Sequence, residues 1–511
     1  MKTRIILLLM LLSMNFGAFS QNLVDAFRLS DVKMQGTARA TAMGNAFGAL
    51  GGDFTSASIN PAGVGLYMKG EFQATMQLGN YKHEANYLGV KTLETSNPFS
   101  IPSLSYVVPF KTNASANSSL VSVSLGFGYN RMNNFNTSTI VNGFNATSSM
   151  LDQFTQNATD GYLGTYYEEL AINADAIYAD DLGTFYHDLQ KYQDGLPSEN
   201  YAHDQQKIID HSGSVDEYAF TAAFNFNHKI YFGATLGIHD VSFEEVSLMI
   251  ENNPDYNGDN DFDHFYESQF EQYLETTGTG VNAKFGLIYK PIEALRLGVA
   301  VHTPTYYELH DYYDSFMSYE YDQYKAGEFE PKYNEAIPSN AGEYDYKIHT
   351  PMKAVFSAAY VIGKRAILSA DYEYVDYAKM KLKRGGGGYT FSDENREIKS
   401  VFKSVGNLHV GAEFRLTDQF SLRGGYENSP SPYELEGWQS TLNTYSLGFG
   451  YRFGACYLDF AYKHSANTSN LELYEMPYGV VNTGYDDVVT SSIAEIDYKR
   501  NYYTLTFGIR F

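Results

Sequence analysis

Strict alternation of apolar and polar residues is the feature that most constrains how this chain can fold. Between Asn443 and Phe453 every second residue is apolar, and the positions between them carry mainly serine, glycine and arginine. The stretch from Tyr502 to Phe511 repeats the pattern with threonine, glycine and arginine between the apolar positions. A period of two is typical of a β-strand with one apolar and one polar face.

Segments of this kind recur along the whole chain, and fourteen can be counted. They span residues 69–78, 101–110, 119–129, 217–228, 230–240, 280–290, 294–303, 351–362, 365–375, 406–416, 418–428, 443–453, 456–463 and 502–511. A transmembrane β-strand needs about 9–11 residues, with lipid-facing and lumen-facing side chains in alternation. The pattern therefore predicts an all-β fold, a 14-stranded antiparallel transmembrane β-barrel.

The connections between these segments alternate in length. Strand pairs are joined by short turns, as at 227–229 and 453–455, and successive pairs are separated by much longer loops. The long loops span residues 79–100, 130–216, 241–279, 304–350, 376–405, 429–442 and 464–501. Short turns on one side and long extracellular loops on the other are typical of bacterial outer-membrane barrels. A soluble propeller or sandwich would not sort its connections in this way.

The N-terminus has the composition of a secretory signal peptide. Basic residues precede a short apolar run at 5–12, and Ala18-Phe19-Ser20 fits a small-x-small cleavage site. We therefore expect residues 1–20 to be removed on export from a Gram-negative cytoplasm. Beyond them, no stretch approaches the ~18–20 apolar residues that a transmembrane helix requires.

Composition argues against several classes of function. A net charge of −24 disfavours nucleic acid, which attracts basic surfaces. The single Cys456 excludes an internal disulfide framework. No Ser/His/Asp or Cys/His set stands in a motif, and the 12 histidines lack paired metal-ligand spacing. We therefore expect neither an enzyme nor a bound cofactor.

The longest predicted loop, at about 130–216, is rich in apolar and aromatic residues between Met150 and Lys191. Their spacing predicts two or three short amphipathic helices within this extracellular loop. Such helices would either pack on themselves as a cap over the barrel mouth or form an apolar groove that receives a ligand. The sequence leaves both possibilities open.

Apolar and polar residues do not alternate within 21–68, so this segment is not predicted to be a strand. The stretch Gly36–Asp53 consists largely of small residues, which allow close packing of backbones. We predict a compact hatch threaded inside a barrel formed by residues 69–511. The glycines at 48, 51 and 52 do not form a phosphate-binding loop, since no strand precedes them and no Lys-Ser/Thr follows.

Particular residues of the hatch segment give a resemblance to a known family. The pattern Gly36…Ala40…Met43-Gly44…Ala46-Phe47…Asp53…Ser56…Asn60-Pro61-Ala62-Gly63 resembles the N-terminal hatch of the FadL-type transporters. The stretches 291–304, 371–377 and 422–430 are similar to strands of that family. Since the family's Asn-Pro-Ala triplet lies in a plug that fills the barrel, the resemblance implies that Asn60, Pro61, Ala62 and Gly63 gate the passage.

The resemblance further implies passive uptake of hydrophobic molecules, such as long-chain fatty acids, across the outer membrane. The molecule would be caught by the outer loops, enter the lumen and leave sideways through a gap near the third strand, at 119–129. Gly126 and Gly128 would permit a kink in that strand. Lateral exit into lipid avoids the aqueous periplasm, where exposure costs about 0.8 kcal/mol per CH₂ group.

Charged residues of both signs fall on the inferred lumen face. Among them, Arg423 and Arg452 are candidates for binding the carboxylate of a substrate, because a guanidinium group matches a carboxylate in geometry. The alternative is an ion-pair network that stiffens the lumen without contacting a ligand.

One acidic stretch has the spacing of a calcium loop. Oxygen-bearing side chains occupy alternate positions at Asp255, Asn257, Asp259, Asp261 and Asp263. A calcium loop of the EF-hand type also has glycine at its sixth position and glutamate at its twelfth, and this stretch has neither. A solvated acidic turn is the alternative.

The sequence therefore leaves two functions of different classes open. The first is the hydrophobic-compound channel, and the second is a non-transporting barrel subunit of a secretion or assembly complex, for which the 130–216 loop would supply a docking surface. The expected partners are a hydrophobic small molecule, outer-membrane lipid and the barrel-assembly machinery, for which the terminal Phe511 is the expected signal. A hatch disfavours a general porin.

Overall fold

A single closed sheet forms the frame of the molecule. The computed structural model describes residues 23–112, 119–193, 196–200, 203–253, 265–325, 328–386, 389–474 and 493–511. Within them, fourteen strands pair in chain order, each antiparallel to its neighbours. The last strand pairs with the first from Glu71–Arg510 to Asn86–Glu495, which closes the barrel. The predicted 14-stranded antiparallel barrel is confirmed.

The barrel strands are numbered here in chain order. They are β1 (Glu71–Tyr87), β2 (Phe99–Lys111), β3 (Leu120–Asn134), β4 (His203–Phe226), β5 (Ile230–Asn252), β6 (Phe265–Ile292), β7 (Leu295–His302), β8 (Lys353–Ile362), β9 (Ala366–Asp376), β10 (Ser404–Arg415), β11 (Phe420–Ser429), β12 (Leu442–Phe453), β13 (Cys456–Glu472) and β14 (Ile493–Arg510). No helix among the described residues is long and apolar enough to cross a membrane.

The barrel is apolar outside and polar inside, as the alternation requires. In β14, Tyr503 and Phe507 point outward and are 46% and 43% exposed, whereas Thr504 and Thr506 point inward and are buried. The other strands repeat this arrangement. The exposed apolar residues of the wall include Phe72, Met76, Leu104, Tyr106, Leu125, Phe127, Phe220, Phe232, Leu236, Phe285, Leu287, Leu297, Val299, Phe356, Leu368, Tyr372, Val410, Leu422, Leu447 and Phe449. They form a continuous lipid-facing belt.

The strands extend far beyond the belt at the end opposite the short turns. β4, β5 and β6 contain 24, 23 and 28 residues, more than twice the ~9–11 that cross a membrane. Further strands lengthen this extracellular wall. They are Val90–Ser96, Thr137–Ala146, Tyr306–Lys325, Glu328–Ala336, Gly342–His349 and Lys381–Arg384. Much of what the sequence pattern left as loops at 241–279 and 304–350 is therefore strand, because outside the membrane the outer face meets water and the alternation weakens.

The N-terminal segment contains short helices rather than strands. They are α1 (Leu23–Ser30), α2 (Ala38–Ala42) and α3 (Ser56–Ile59), followed by a 3₁₀ turn at Pro61–Leu66. α2 packs against β12 and β13, and the 3₁₀ turn packs against β4, β5 and β6. Most of residues 36–66 are buried, so this segment lies across the lumen between opposite walls.

The long loop after the third strand includes two short helices, α4 (Met150–Thr159) and α5 (Glu168–Asn173). α4 starts at a capping box in which the Ser149 hydroxyl accepts from a backbone N–H of the first turn and the Asp152 carboxylate accepts from the Ser149 N–H. Leu151 and Phe154 are buried, and the Phe154 ring meets the Phe270 ring edge-on at 5.5 Å. These helices therefore pack on the barrel's own extracellular strands and cover them. A further helix, α6 (Ser392–Val401), lies between β9 and β10.

The lipid-facing belt predicts that an arginine substitution has different effects on stability at two exposed leucines. Leu447 is 66% exposed at the middle of β12, and Leu182 is 90% exposed in the extracellular loop. An arginine in place of Leu447 should destabilise the protein folded in a bilayer by about 2–4 kcal/mol, because its charge would lie in hydrocarbon. Leu182→Arg should cost nothing measurable. Urea titration of both variants in lipid vesicles checks this, and equal stabilities would contradict a lipid-facing position for Leu447.

Candidate functional site

The Asn60–Gly63 motif lies at the centre of the hatch and is fully buried. The Asn60 side chain caps the 3₁₀ turn by accepting from the Ala62 N–H at 3.2 Å, and its amide donates to the Gly48 carbonyl at 2.6 Å. The same amide also reaches the Leu287 carbonyl of β6 at 3.3 Å. Asn60 thus joins two parts of the hatch to each other and to the wall.

Polar side chains of the wall hold the hatch by its backbone. The Asp371 carboxylate accepts from the Gly48 N–H at 2.7 Å, and the Arg296 guanidinium donates to the Leu50 carbonyl at 2.5 Å. His302 Nε2 lies 2.8 Å from the Ile59 carbonyl. Since the hatch is rich in small residues with little side chain to bury, these bonds satisfy backbone groups that would otherwise be buried without partners.

Glycines of the barrel strands make room for the hatch backbone. A Cβ atom added to Gly286 would lie 1.9 Å from Asn60 Oδ1, and one added to Gly233 would lie 2.3 Å from the Pro61 carbonyl carbon. Similar contacts below 3.0 Å recur at other inward positions. These are Gly128, Gly298, Gly411, Gly425 and Gly448. This role was not predicted, although glycine at lumen-facing positions of several strands is visible in the sequence.

Arg423 is engaged in an ion-pair network. Its guanidinium contacts Glu413 at 2.8 Å and Asp459 at 2.6 Å, and Glu413 also accepts from Arg39 of α2 at 3.0 Å. The side chain of Arg423 is 7% exposed. The structure thus places Arg423 in the network that was the alternative to carboxylate binding. Arg452 lies at the short-turn end of β12, is exposed, and has no ion pair among the described residues.

A second buried network fastens the opposite side of the hatch. Ser58 donates to the Glu217 carboxylate, which is also paired with Lys284 and lies 3.3 Å from His239. Asn130 of β3 donates to the Ser58 hydroxyl at 2.9 Å. Removing one member of a buried, paired set leaves its partner uncompensated, which is costly. The hatch is therefore anchored at both ends, and Glu217 and Ser58 were not singled out from the sequence.

The kink expected at Gly126 and Gly128 is not there. The register of β3 with β2 and with β4 runs without interruption past both glycines. Their inner faces instead receive the Phe54 ring of the hatch, which a Cβ on Gly128 would meet at 2.2 Å. In the structure, the small size of these two residues makes room for the Phe54 ring.

The third strand is interrupted farther toward the extracellular end. β3 ends at Asn134, and a separate strand, Thr137–Ala146, then continues along β4. Pairing between β2 and β3 ends at Ser103–Asn130. On the extracellular side of that pair, β2 remains hydrogen-bonded to β1 and β3 remains hydrogen-bonded to β4. β2 and β3 therefore separate there. The wall is thus divided at the level of Phe99 and Ile101, which are exposed apolar residues.

Residues 33–35 fill the division and are called here the sealing segment. The Lys33 N–H donates to the Met132 carbonyl at 3.1 Å, and the Gln35 N–H donates to the Arg131 carbonyl at 3.2 Å. The Gln35 side chain accepts from the Ser100 hydroxyl of β2 at 3.0 Å. Gln35 therefore bridges the two strands where they separate.

Asn133 of β3 holds the chain that leads into the sealing segment. Its amide donates to the Arg28 and Asp31 carbonyls at 3.2 and 3.1 Å, and its oxygen accepts from the Lys33 N–H at 2.8 Å. One buried side chain thus ties the end of α1 and the sealing segment to the barrel wall.

Two other predicted sites stand apart from the hatch. The stretch Asp255–Asp263 lies outside the described residues. Phe511 follows β14 at the seam where the barrel closes, donates its N–H to the Gly70 carbonyl at 2.9 Å, and stacks on Tyr106 with ring centroids 5.7 Å apart. Its ring is 57% exposed on the outer face.

The fold and the site define a closed membrane β-barrel with an internal hatch. Among solved structures, the chain is similar to a FadL homologue of Pseudomonas aeruginosa, with 14% identity and a TM-score of 0.51 over 94% of this chain and 99% of that one. It is also similar to the TodX monoaromatic hydrocarbon channel carrying the deltaS2 mutation, with 12% identity and a TM-score of 0.51 over 93% and 98%. At such identities the likeness establishes the fold alone. No protein-family model matches the chain, and no curated protein matches its sequence significantly.

Two adjacent glycines test the fit between hatch and wall. A Cβ on Gly425 would lie 2.1 Å from the Gly44 backbone nitrogen, whereas the nearest atom to a Cβ on Gly424 is Leu447 Cδ2 at 3.6 Å. Gly425→Ala should therefore destabilise the folded barrel by about 1–3 kcal/mol through overpacking. Gly424→Ala should leave it within experimental error. The urea midpoint of heat-modifiable gel migration measures both, and an unchanged Gly425→Ala would show that the hatch does not contact this wall.

Proposed function

We propose that this protein is a bacterial outer-membrane channel for passive uptake of hydrophobic molecules, with lateral exit through the barrel wall. The observation that carries the proposal is the division between β2 and β3, which residues 33–35 fill through uncharged hydrogen bonds and apolar contacts. Of the proteins with a similar fold, TodX is by its name a monoaromatic hydrocarbon channel, which supports this proposal.

Movement of the sealing segment is the smaller rearrangement that would open a path. Withdrawal of the whole hatch would break the Glu217 and Arg39–Glu413 networks, together with the bonds to Asp371 and Arg296. Displacement of residues 33–35 breaks a few uncharged hydrogen bonds, each worth about 0.5–1.5 kcal/mol net. A channel that opened laterally would therefore keep its hatch in place.

An apolar cluster on the extracellular side leads to the division. It comprises buried residues of α1, α6 and the extracellular strands, among them Leu29, Tyr307, Tyr346, Phe391 and Phe402. Met132 of β3 belongs to the same cluster, and Val32 and Met34 pack against it. Since Val32 and Met34 flank Lys33, the cluster and the sealing segment are continuous. A hydrophobic molecule accommodated in this cluster would be next to the lateral opening.

Direct passage from the cluster into the bilayer also agrees with solvation energetics. An alkyl chain that entered the periplasm would lose about 0.8 kcal/mol per CH₂ group relative to an apolar surrounding. A path that ends beside the exposed Phe99 and Ile101 delivers the molecule to lipid instead. The chemistry of the cluster fits long-chain fatty acids and monoaromatic hydrocarbons equally.

The second function, a docking subunit, has one observation in its favour. In the extracellular loop, Tyr162, Leu163 and Leu182 are 60%, 49% and 90% exposed, although α4 beside them is packed on the wall. Mass spectrometry of molecules that co-purify from the native membrane separates the two functions. A stoichiometric lipophile favours the channel, and a stoichiometric protein without a lipophile favours the subunit.

Substitution of Asn133 tests whether the sealing segment closes the channel. Asn133→Ala removes three hydrogen bonds to the chain at 28–33 and should loosen the sealing segment. We expect uptake of a radiolabelled fatty acid or toluene into lipid vesicles to rise by about three- to tenfold, which corresponds to a loss of roughly 0.7–1.4 kcal/mol of closure energy.

Asn136→Ala is the matched control, because Asn136 lies on the same stretch and its side chain contacts Asn134 and Gly213 but not the N-terminal segment. Its uptake should equal that of the unmodified protein. Equal uptake by all three proteins, with equal heat-modifiable migration, would contradict closure by residues 33–35.

A further inference from the structure

Basic side chains form two rows on the outer surface of the extracellular wall. The strands Gly342–His349 and Lys381–Arg384 pair with His349 opposite Lys381 and with Lys347 opposite Lys383. The residues between them, Ile348 and Leu382, are buried. Alternation along a strand therefore places these four basic side chains on the outer face, and we call them the basic patch.

The basic patch lies at the upper boundary of the lipid-facing belt. Strand pairing puts Val281, Tyr306, His349 and Lys381 in one row around the barrel. Val281 and Tyr306 are 46% and 51% exposed, and the Tyr306 ring meets the His349 ring edge-on at 4.6 Å. Exposed tyrosines mark the membrane–water interface of such barrels. The basic patch is therefore adjacent, in the same row of residues, to the membrane–water interface.

Like charges opposite one another need a compensating anion. Lysines directly across a strand pair repel and are destabilising. Lys347 pairs with Glu308, but the ion pairs formed by the described residues include neither Lys381 nor Lys383. Burial lowers the pKa of His349, and the nearby Lys383, Lys381 and Lys347 lower it further. This concentration of positive charge occurs in a chain whose net charge is −24.

A second pair of opposed lysines on the wall has carboxylates in the next row of the same face. Lys82 and Lys499 are directly opposite each other on β1 and β14. Two residues farther along each strand, Glu84 and Asp497 form the next pair on the same face. Carboxylates of the protein thus accompany that lysine pair. In the basic patch the carboxylates on the same face, Glu308 in the row of Lys347 and Asp345 in the next row, form ion pairs with Lys347 and His310.

We propose that the basic patch binds the phosphates of lipid headgroups in the outer leaflet of the membrane. Lysine ammonium groups bind phosphate as point charges, and basic residues at the membrane surface each contribute attraction to anionic lipid. A phosphate between Lys381 and Lys383 would supply the counter-charge that these two lysines do not receive from an ion pair of the described residues. The site rests on the proposed outer-membrane location but not on transport.

Removal of the two unpaired lysines tests the patch. K381Q/K383Q should bind diphosphorylated lipid A about 10- to 30-fold more weakly than the unmodified protein, the effect expected of two lysines at an anionic lipid surface. Native mass spectrometry of the detergent-solubilised protein at low ionic strength measures this affinity. The matched control is K364Q/R365Q, which removes the same charge from exposed residues at the short-turn end and should bind lipid A normally.

Two further arms identify the source of the phosphate and separate this inference from the channel. Inorganic phosphate at the same phosphate concentration should not displace lipid A, and phosphatidylcholine should show no difference between the variants. Equal lipid A affinity for both double variants, or full displacement by inorganic phosphate, would overturn the proposal. Uptake by K381Q/K383Q should stay normal, because the basic patch has no part in transport. Lipid A binding and uptake therefore test the two proposals separately.

Discussion

The need to satisfy every backbone polar group in a medium without water governs this structure. A carbonyl or N–H group left unpaired in hydrocarbon costs several kcal/mol, and a closed barrel removes the problem by pairing each strand on both sides. The edge of β3 beyond Asn130 departs from this arrangement, because β2 no longer pairs with it. There the N–H groups of Lys33 and Gln35 supply the missing partners. The wall is thus completed by a part of the chain that belongs to the hatch.

Dependence of the wall on the hatch connects stability with function. The deeper hatch is fixed by glycine-lined contacts and by buried ion pairs, which hold Asn60 and Ser58 against β3, β4 and β6. The sealing segment, by contrast, is held by uncharged hydrogen bonds and by apolar contacts of Val32 and Met34. A hydrophobic ligand can replace apolar contacts of this kind, but it cannot replace a buried salt bridge. In the proposed channel, the part that closes the wall is therefore the part that such a ligand would displace.

The barrel itself was predictable from local pattern, because a lipid-facing strand must alternate residue by residue. β12 was expected at 443–453 and occurs at Leu442–Phe453. The extracellular ends of β4, β5 and β6 were not predicted, since outside the membrane their outer faces meet water. The contact of Gly126 and Gly128 with Phe54 was not predicted, because the sequence does not show which residue the two glycines face.

The contacts at the division of the wall could not be predicted from the sequence pattern. Lys33 and Asn133 are 100 residues apart, and neither belongs to a recognisable motif. Gln35 and Ser100 meet only because the hatch returns to the wall between two strands that separate. Such contacts depend on the whole topology. The hatch motif around Asn60 was visible in the sequence, but it marks the anchored part rather than the sealing segment.

The most direct measurement is uptake through a barrel whose sealing segment has been covalently fixed to β2. The variant Q35C/S100C, in a C456S background, joins two positions whose side chains are in contact, and a reducible cross-link closes the division. We predict that uptake of a fatty acid or toluene into vesicles is lost in the cross-linked protein and returns on reduction, while Q35C alone loses no uptake with or without reductant. Full uptake by the cross-linked protein would contradict lateral exit between β2 and β3.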